Sequence, residues 1–171
     1  MRTVGKIAVV SALLLTAAAL LLWIRTADRG TGTDSAGSAG LKGWVDFTLP
    51  DTGGERVSLN RFIGKKPVLL VFWATWCPRC NESVPVINQW QTEPPARDSL
   101  QILAVDFMEN REKVQDYIRE KGVAFPVLLD RSGSVAREYR VVGIPTYVLI
   151  DRNGEVAYRG HDLPEISRYV K

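Results

Sequence analysis

An uncharged run, Val68-Leu69-Leu70-Val71-Phe72-Trp73-Ala74-Thr75-Trp76, leads straight into Cys77-Pro78-Arg79-Cys80. Apolar residues rich in β-branched and aromatic side chains, without polar alternation, are the pattern of a strand buried on both faces. The segment after Cys80 reads as helix, because Val84, Ile87 and Trp90 recur at helical spacing. Pro85 lies inside that helix and is expected to kink it. The two cysteines therefore mark a strand-to-helix junction. They are the only cysteines in the chain, so they can pair with each other or with the thiols of a partner.

That placement favours a reactive first cysteine. Free N–H groups and the macrodipole at a helix N-terminus stabilise an anion, so the thiolate of Cys77 is favoured there. Arg79 adds a nearby positive charge, and Pro78 falls in the first helical turn, where no N–H is needed. Cys80, one turn in, is expected to face inward and to be less exposed. Cys77 would then attack or be attacked, and Cys80 would resolve the mixed disulfide. Competing readings fit less well. A structural disulfide usually closes a long loop, whereas this one closes a very short ring. Zinc needs about four ligands, and beyond the two cysteines the chain offers one histidine, His161. Cu(I) needs fewer ligands and stays as an alternative.

The N-terminus has a different character. Residues 1–6 are short and basic, and residues 7–24 carry no charge. As a helix at about 1.5 Å per residue that run spans roughly 27 Å, near the lower limit for a bilayer. Trp23 ends it where an interfacial aromatic belongs. The flank Arg25-Thr26-Ala27-Asp28-Arg29 is a poor cleavage site. Residues 1–25 therefore read as an uncleaved signal anchor, a single transmembrane helix. Residues 26–43, rich in Gly, Ser, Ala and Thr, read as a flexible tether. Of the basic residues Arg2, Lys6, Arg25 and Arg29 lie in the first forty, against Asp28 and Asp34, which leaves the remainder at a net +1. No basic stripe suggests nucleic acid.

From Trp44 onward the pattern is that of one α/β domain, residues 44–171. A hairpin is expected over 45–50 and 55–59 across Asp51-Thr52-Gly53-Gly54, then a helical turn ending at Gly64. After the first long helix, residues 93–98 read as a loop, 100–106 as a buried strand and 112–121 as an amphipathic helix closed by Gly122. Residues 125–130 read as strand and 134–139 as a short helix. Residues 146–151 and 155–159 read as a hairpin across Arg152-Asn153-Gly154, and 164–170 as a final short helix. Strands alternating with helices and ending in a hairpin mean a central mixed β-sheet flanked by helices.

With these residues in place, the domain resembles the thioredoxin superfamily, and within it the membrane-anchored TlpA/ResA-like thiol–disulfide oxidoreductases. The resemblance rests on Asp46-Phe47-Thr48-Leu49-Pro50 with its hairpin and on Phe72 through Cys80. It rests equally on Phe125-Pro126-Val127-Leu128-Leu129-Asp130 and on Gly143-Ile144-Pro145-Thr146. It implies a thioredoxin-like fold with an N-terminal β-hairpin, and a cis Ile144–Pro145 bond lying against a Cys77–Cys80 disulfide. Backbone near Ile144 would pair with an extended substrate segment, and Trp76 and Pro145 would form the apolar surface beside Cys77. Trp73 and Phe72 read as core. Two departures stand out. The buried acid that many thioredoxins carry two positions before the Trp of Phe-Trp-Ala is replaced by Val71. The glutamate that such proteins place three residues after the second cysteine is replaced by Ser83, and Glu82 sits one place earlier, rotated by about 100° on a helix. Glu82 thus has two readings, proton transfer at Cys80 and a solvated surface carboxylate. His161 and the pair Lys65-Lys66 are assigned no role.

The resemblance implies a thiol–disulfide oxidoreductase tethered to the cytoplasmic membrane by one helix, with its domain in the periplasm or its extracytoplasmic equivalent. It would need no cofactor beyond its redox-active disulfide and no metal. Its partners would be thiols and disulfides of exported proteins, apocytochrome c among them, and a membrane thiol donor would supply electrons. Stabilising the Cys77 thiolate makes a disulfide more oxidising, which argues against a very strong reductant. The rival from another class is a Cu(I)-handling or copper-stress thiol-protection protein using the same two cysteines.

Overall fold

The computed structural model describes residues 43–170. The expected anchor over residues 1–25 and, apart from Gly43, the expected tether lie outside the described residues. No helix among the described residues is long and apolar enough to cross a membrane.

The central strand forms as the sequence dictates. Val68–Trp73 is β3, and all six of its residues are buried. The order across the sheet is Val127–Asp130 (β5), Gln101–Phe107 (β4), β3, Thr146–Ile150 (β6) and Val156–Gly160 (β7). β4 and β5 run parallel to β3 and to each other. β6 and β7 are antiparallel, so the sheet is mixed. The expected N-terminal hairpin is present, as a separate two-stranded sheet of β1 (Thr48–Pro50) and β2 (Arg56–Ser58).

Side-chain alternation along β3 divides the core in two. Leu69, Val71 and Trp73 face one layer together with Val84, Ile87, Val114 and Tyr117. These come from α1 (Pro78–Thr92) and α3 (Arg111–Lys121). Val68, Leu70 and Phe72 face the other layer, with Phe47, Leu49, Leu59 and Tyr139. Helix α3 has both of its ends specified. Asn110 caps it by accepting from the Lys113 N–H at 2.9 Å, and Gly122 closes it in the left-handed region at φ 63°.

Three expectations need correction. Residues 93–98 are not a plain loop: Pro94–Pro95 is a cis bond and leads into α2 (Ala96–Ser99). A single turn of four residues carries no periodicity that could announce it. The tail over 164–170 is not a helix. It makes a turn in which the Tyr169 and Val170 N–H groups both donate to the Ile166 carbonyl. Pro164 and Ile166 are buried there, so packing holds a segment too short to nucleate helix in isolation. The helix over 134–139 is α4 (Ser134–Glu138), ending one residue early. Helix α1 continues on both sides of Pro85, which lies on its exposed side.

Candidate active site

Cys77 leaves the sheet after β3 and becomes the N-cap of α1 with extended backbone, φ −87° and ψ 110°. Its Sγ accepts the Cys80 N–H at 3.2 Å. Pro78 occupies the first helical position, as expected. Cys77 and Cys80 are joined as a disulfide, with Cα atoms 5.2 Å apart. One free N–H of the helix mouth therefore already points at the sulfur that would carry charge after reduction.

The expected difference in exposure between the two cysteines is absent. Both are 4% exposed. Joined to each other, each sulfur excludes solvent from its partner. Trp76, at 58% exposure, and Pro78 and Arg79 form the outer rim of the site. Arg79 is not free to face the sulfur alone, because its guanidinium pairs with Asp162 at 2.9 Å on the exposed surface. That pairing reduces its pull on Cys77.

Strand register brings the proline loop to the cysteines. Phe72 pairs with Thr146 across β3 and β6, so residues just beyond that pair, toward the cysteines on one strand and Pro145 on the other, share one end of the sheet. Ile144–Pro145 is cis. A groove beside it is lined by Trp76, Phe107, Val141, Val142, Gly143 and Ile144, with Val142 91% exposed. Trp73 and Phe72 are core, at 1% and 0% exposure.

His161 belongs to this site, although its sequence context gave no reason to assign it a role. Its Nδ1 lies 2.8 Å from the Pro145 carbonyl oxygen and 3.4 Å from the Thr146 hydroxyl. A proton on Nδ1 makes it the donor to that carbonyl. The signal was available in the hairpin: Tyr147 pairs with Gly160, so the next residue outward must lie beside Thr146.

Helix α1 presents Ser83, not an acid, toward the interior. The Ser83 hydroxyl is 2.5 Å from the Tyr147 hydroxyl, and it donates to the Arg79 carbonyl at 3.1 Å. Burial pushes the Tyr147 phenol above its ordinary range. Glu82 is exposed and makes no hydrogen bond or ion pair among the described residues. It borders the same shallow pocket as Arg79, Pro145 and His161.

Two buried acids lie on and just beyond the neighbouring strand: Asp106 in β4 and Glu109 in the loop that follows it. The Glu109 carboxylate accepts the Thr75 N–H at 2.6 Å and the Thr75 hydroxyl at 2.8 Å, and Lys113 Nζ stands 2.6 Å away. Burial alone would raise the Glu109 carboxyl, but Lys113 and the Thr75 N–H outweigh it and hold it below its ordinary range. Asp106 is fully buried beside Glu109, whose side chain and backbone are the groups within reach of its carboxyl. Burial first, and then the Glu109 carboxylate, push its carboxyl up to about 8. Asp106 pairs with Trp73 in the sheet, and the Trp73 indole N–H is buried without a partner among the described residues.

A strand, a Cys-x-x-Cys helix mouth and a cis-proline loop at one end of a mixed sheet have counterparts among known proteins. The model of the AhpC/TSA family matches residues 42–159. The chain belongs to the AhpC/TSA family. Within this thioredoxin-like family its curated relatives include the thiol-disulfide oxidoreductase ResA of Bacillus subtilis, 37% identical over 102 residues, or 59% of this chain and 55% of that one. ResA of Bacillus thuringiensis subsp. konkukian is 32% identical over 101 residues, or 59% of this chain and 57% of that one. The chain thus spans less than two thirds of the length of these curated relatives. Among solved structures, the thioredoxin domain of a thiol-disulfide oxidoreductase from Bacteroides vulgatus superposes with a TM-score of 0.64 at 27% identity, covering 74% of this chain and 94% of that one. StoA from Bacillus subtilis superposes with a TM-score of 0.60 at 28% identity, covering 68% of this chain and 87% of that one. The fold is thioredoxin-like, with the mixed five-stranded sheet and N-terminal hairpin described above.

Proposed function

We propose that this chain is a thiol–disulfide oxidoreductase that exchanges disulfides with exported proteins through Cys77 and Cys80. The observation that carries the reading is Cys77 as N-cap, with its sulfur accepting the Cys80 N–H and bonded to the Cys80 sulfur at the rim where Pro145 lies. In the reduced protein the Cys77 thiolate attacks a client disulfide. Cys77 then bonds to one client sulfur, and the other client sulfur leaves with the electron pair. Cys80 attacks the Cys77 sulfur, the Cys77–client bond breaks, and the client leaves reduced while the Cys77–Cys80 disulfide reforms. Two electrons pass to the client and must be restored by a dithiol donor.

Trp76, Pro78, Arg79, Ile144 and Pro145 form the surface a client meets, with the groove beside Ile144 accepting an extended segment. The Ile144 backbone is the pairing edge. Relatives named thiol-disulfide oxidoreductase ResA support exchange chemistry at this site, and we take its direction to be reduction of the client. Residues 1–25 would hold the protein in the cytoplasmic membrane, residues 26–43 would tether it, and residues 44–171 would work outside the cytoplasm. A membrane thiol donor would supply electrons, and apocytochrome c is one client of suitable chemistry.

Trapping tests the reading. Cys80→Ala should accumulate a mixed disulfide between Cys77 and its client, visible on non-reducing gels and identified by mass spectrometry. Cys77→Ala should accumulate almost none. Equal trapping by both variants would contradict the division of roles. Stoichiometric Cu(I) retained after dialysis, with no trapped protein, would favour the metal-handling alternative.

A further inference from the structure

Two recesses meet at the cis bond between Ile144 and Pro145, and they differ in chemistry. On the Ile144 side lies the groove that includes Trp76, Phe107 and Val142, which offers a client no charged group. On the Pro145 side lies a shallow pocket of about 200 Å³, whose wall carries Arg79, Glu82, His161 and Asp162. In the exchange chemistry the groove receives the client segment, and the polar pocket is left without a task.

The charges of that pocket do not balance. Arg79 and Glu82 are three residues apart on α1 and so share a helix face. The Arg79 guanidinium nevertheless turns to Asp162, 2.9 Å away, just beyond the end of β7. Glu82 is left exposed, with no hydrogen bond or ion pair among the described residues. Besides His161, the pocket thus holds one cation and two carboxylates, and the uncompensated charge is that of Glu82. The facing wall is held in place. The Asp162 carbonyl accepts the Tyr158 hydroxyl at 2.8 Å, and His161 Nδ1 lies 2.8 Å from the Pro145 carbonyl oxygen. Arg79 stands between the two cysteines and Glu82 follows Cys80 by two, so the first turns of α1 carry both the disulfide and this charge.

We propose that Glu82 selects clients that carry a lysine or arginine close to the cysteine that is attacked. The inference rests on the exchange reading for Cys77 and Cys80 and deepens it by naming the class of client. A segment lying along Ile144 sets one side of its cysteine on the apolar groove and the other against the pocket. A client cation there meets Glu82, whose charge nothing among the described residues neutralises. A client anion meets the same charge, and gains Arg79 only by displacing Asp162. Both effects favour the cation, and both weaken with salt because Glu82 is exposed. Glu82 on this view chooses the client and takes no part in making or breaking sulfur bonds.

The test is reduction of disulfide-linked peptide dimers by the reduced full-length chain, held in nonionic detergent at pH 8. The peptides are uncharged except at one residue, lysine, glutamine or glutamate, placed two positions before or two after the cysteine. Each rate is divided by that of dithiothreitol on the same peptide, which removes the intrinsic reactivity of the disulfide. At one of the two positions the wild type should favour lysine over glutamine about threefold, and glutamine over glutamate about threefold, at low salt. Both ratios should approach one in about 0.5 M salt. Glu82→Gln should bring the lysine-to-glutamate ratio down from about tenfold to near one, and Glu82→Lys should invert it. Ratios taken within one variant cancel any change in sulfur reactivity, and an exposed side chain without partners is replaced without disturbing the fold. A wild-type ratio near one at both positions, or a preference for lysine that survives in Glu82→Gln, would overturn the inference. A wild type that reduces none of the peptides, the glutamine ones included, would instead overturn the exchange reading and this inference with it.

Discussion

A single residue, Asp106, sets an unusual pH dependence on stability. Its folded pKa lies above its unfolded value, so between the ordinary carboxylate range and about 8 the folded state binds more protons than the unfolded one. Stability from this residue is therefore fully present at low pH and is lost as pH rises through that window, by up to about 1.4 kcal/mol per pH unit. The urea midpoint of the wild type should fall from pH 5 to 8 more steeply than that of Asp106→Asn. Parallel curves would contradict the buried, proton-holding state. At the same scale, His161→Ala removes the hydrogen bond to the Pro145 carbonyl. Exchange with a protein client should slow about fivefold, the worth of roughly 1 kcal/mol, while reduction by dithiothreitol stays nearly unchanged. Equal slowing of both reactions would place His161 at the sulfur chemistry and away from the client surface. Neither residue announces itself. Asp106 ends an apolar strand run, and only the parity of its position turns it inward; His161 needs the hairpin register.

At the scale of elements, the sequence was most legible where one physical signal dominated. β3 is a doubly buried strand because its six residues offer no polar face, and α1 begins at Pro78 because a first turn is where a helix best accommodates proline. The Gly122 stop on α3 was equally legible. Its φ of 63° demands glycine, and a Cβ there would meet nothing within 4 Å. Gly122→Ala should therefore cost about 1 kcal/mol from backbone strain alone, measured as a shift in the urea midpoint. A neutral substitution would contradict the left-handed cap. Less legible were α2 and the 164–170 turn. Both are too short for periodicity to announce them.

Across the whole domain, the site draws on four places that the chain visits separately: the β3–α1 junction, the loop before β6, the end of β7, and the β4–α3 loop. The first two carry motifs, so Cys77, Cys80 and Pro145 could be picked out before any fold was known. The last two carry none, because a lone histidine in a loop and acids at a strand end are ordinary surface residues until the sheet order brings them together. Division of labour between the sulfurs is the claim on which the rest turns, and equal burial of the two cysteines in the disulfide form makes it a demanding one. The most direct measurement reduces the protein, adds sub-stoichiometric iodoacetamide at pH 7 and maps the adduct by mass spectrometry. Cys77 should be labelled about tenfold faster than Cys80, because its sulfur sits at the mouth of α1; equal labelling, or preference for Cys80, would contradict it.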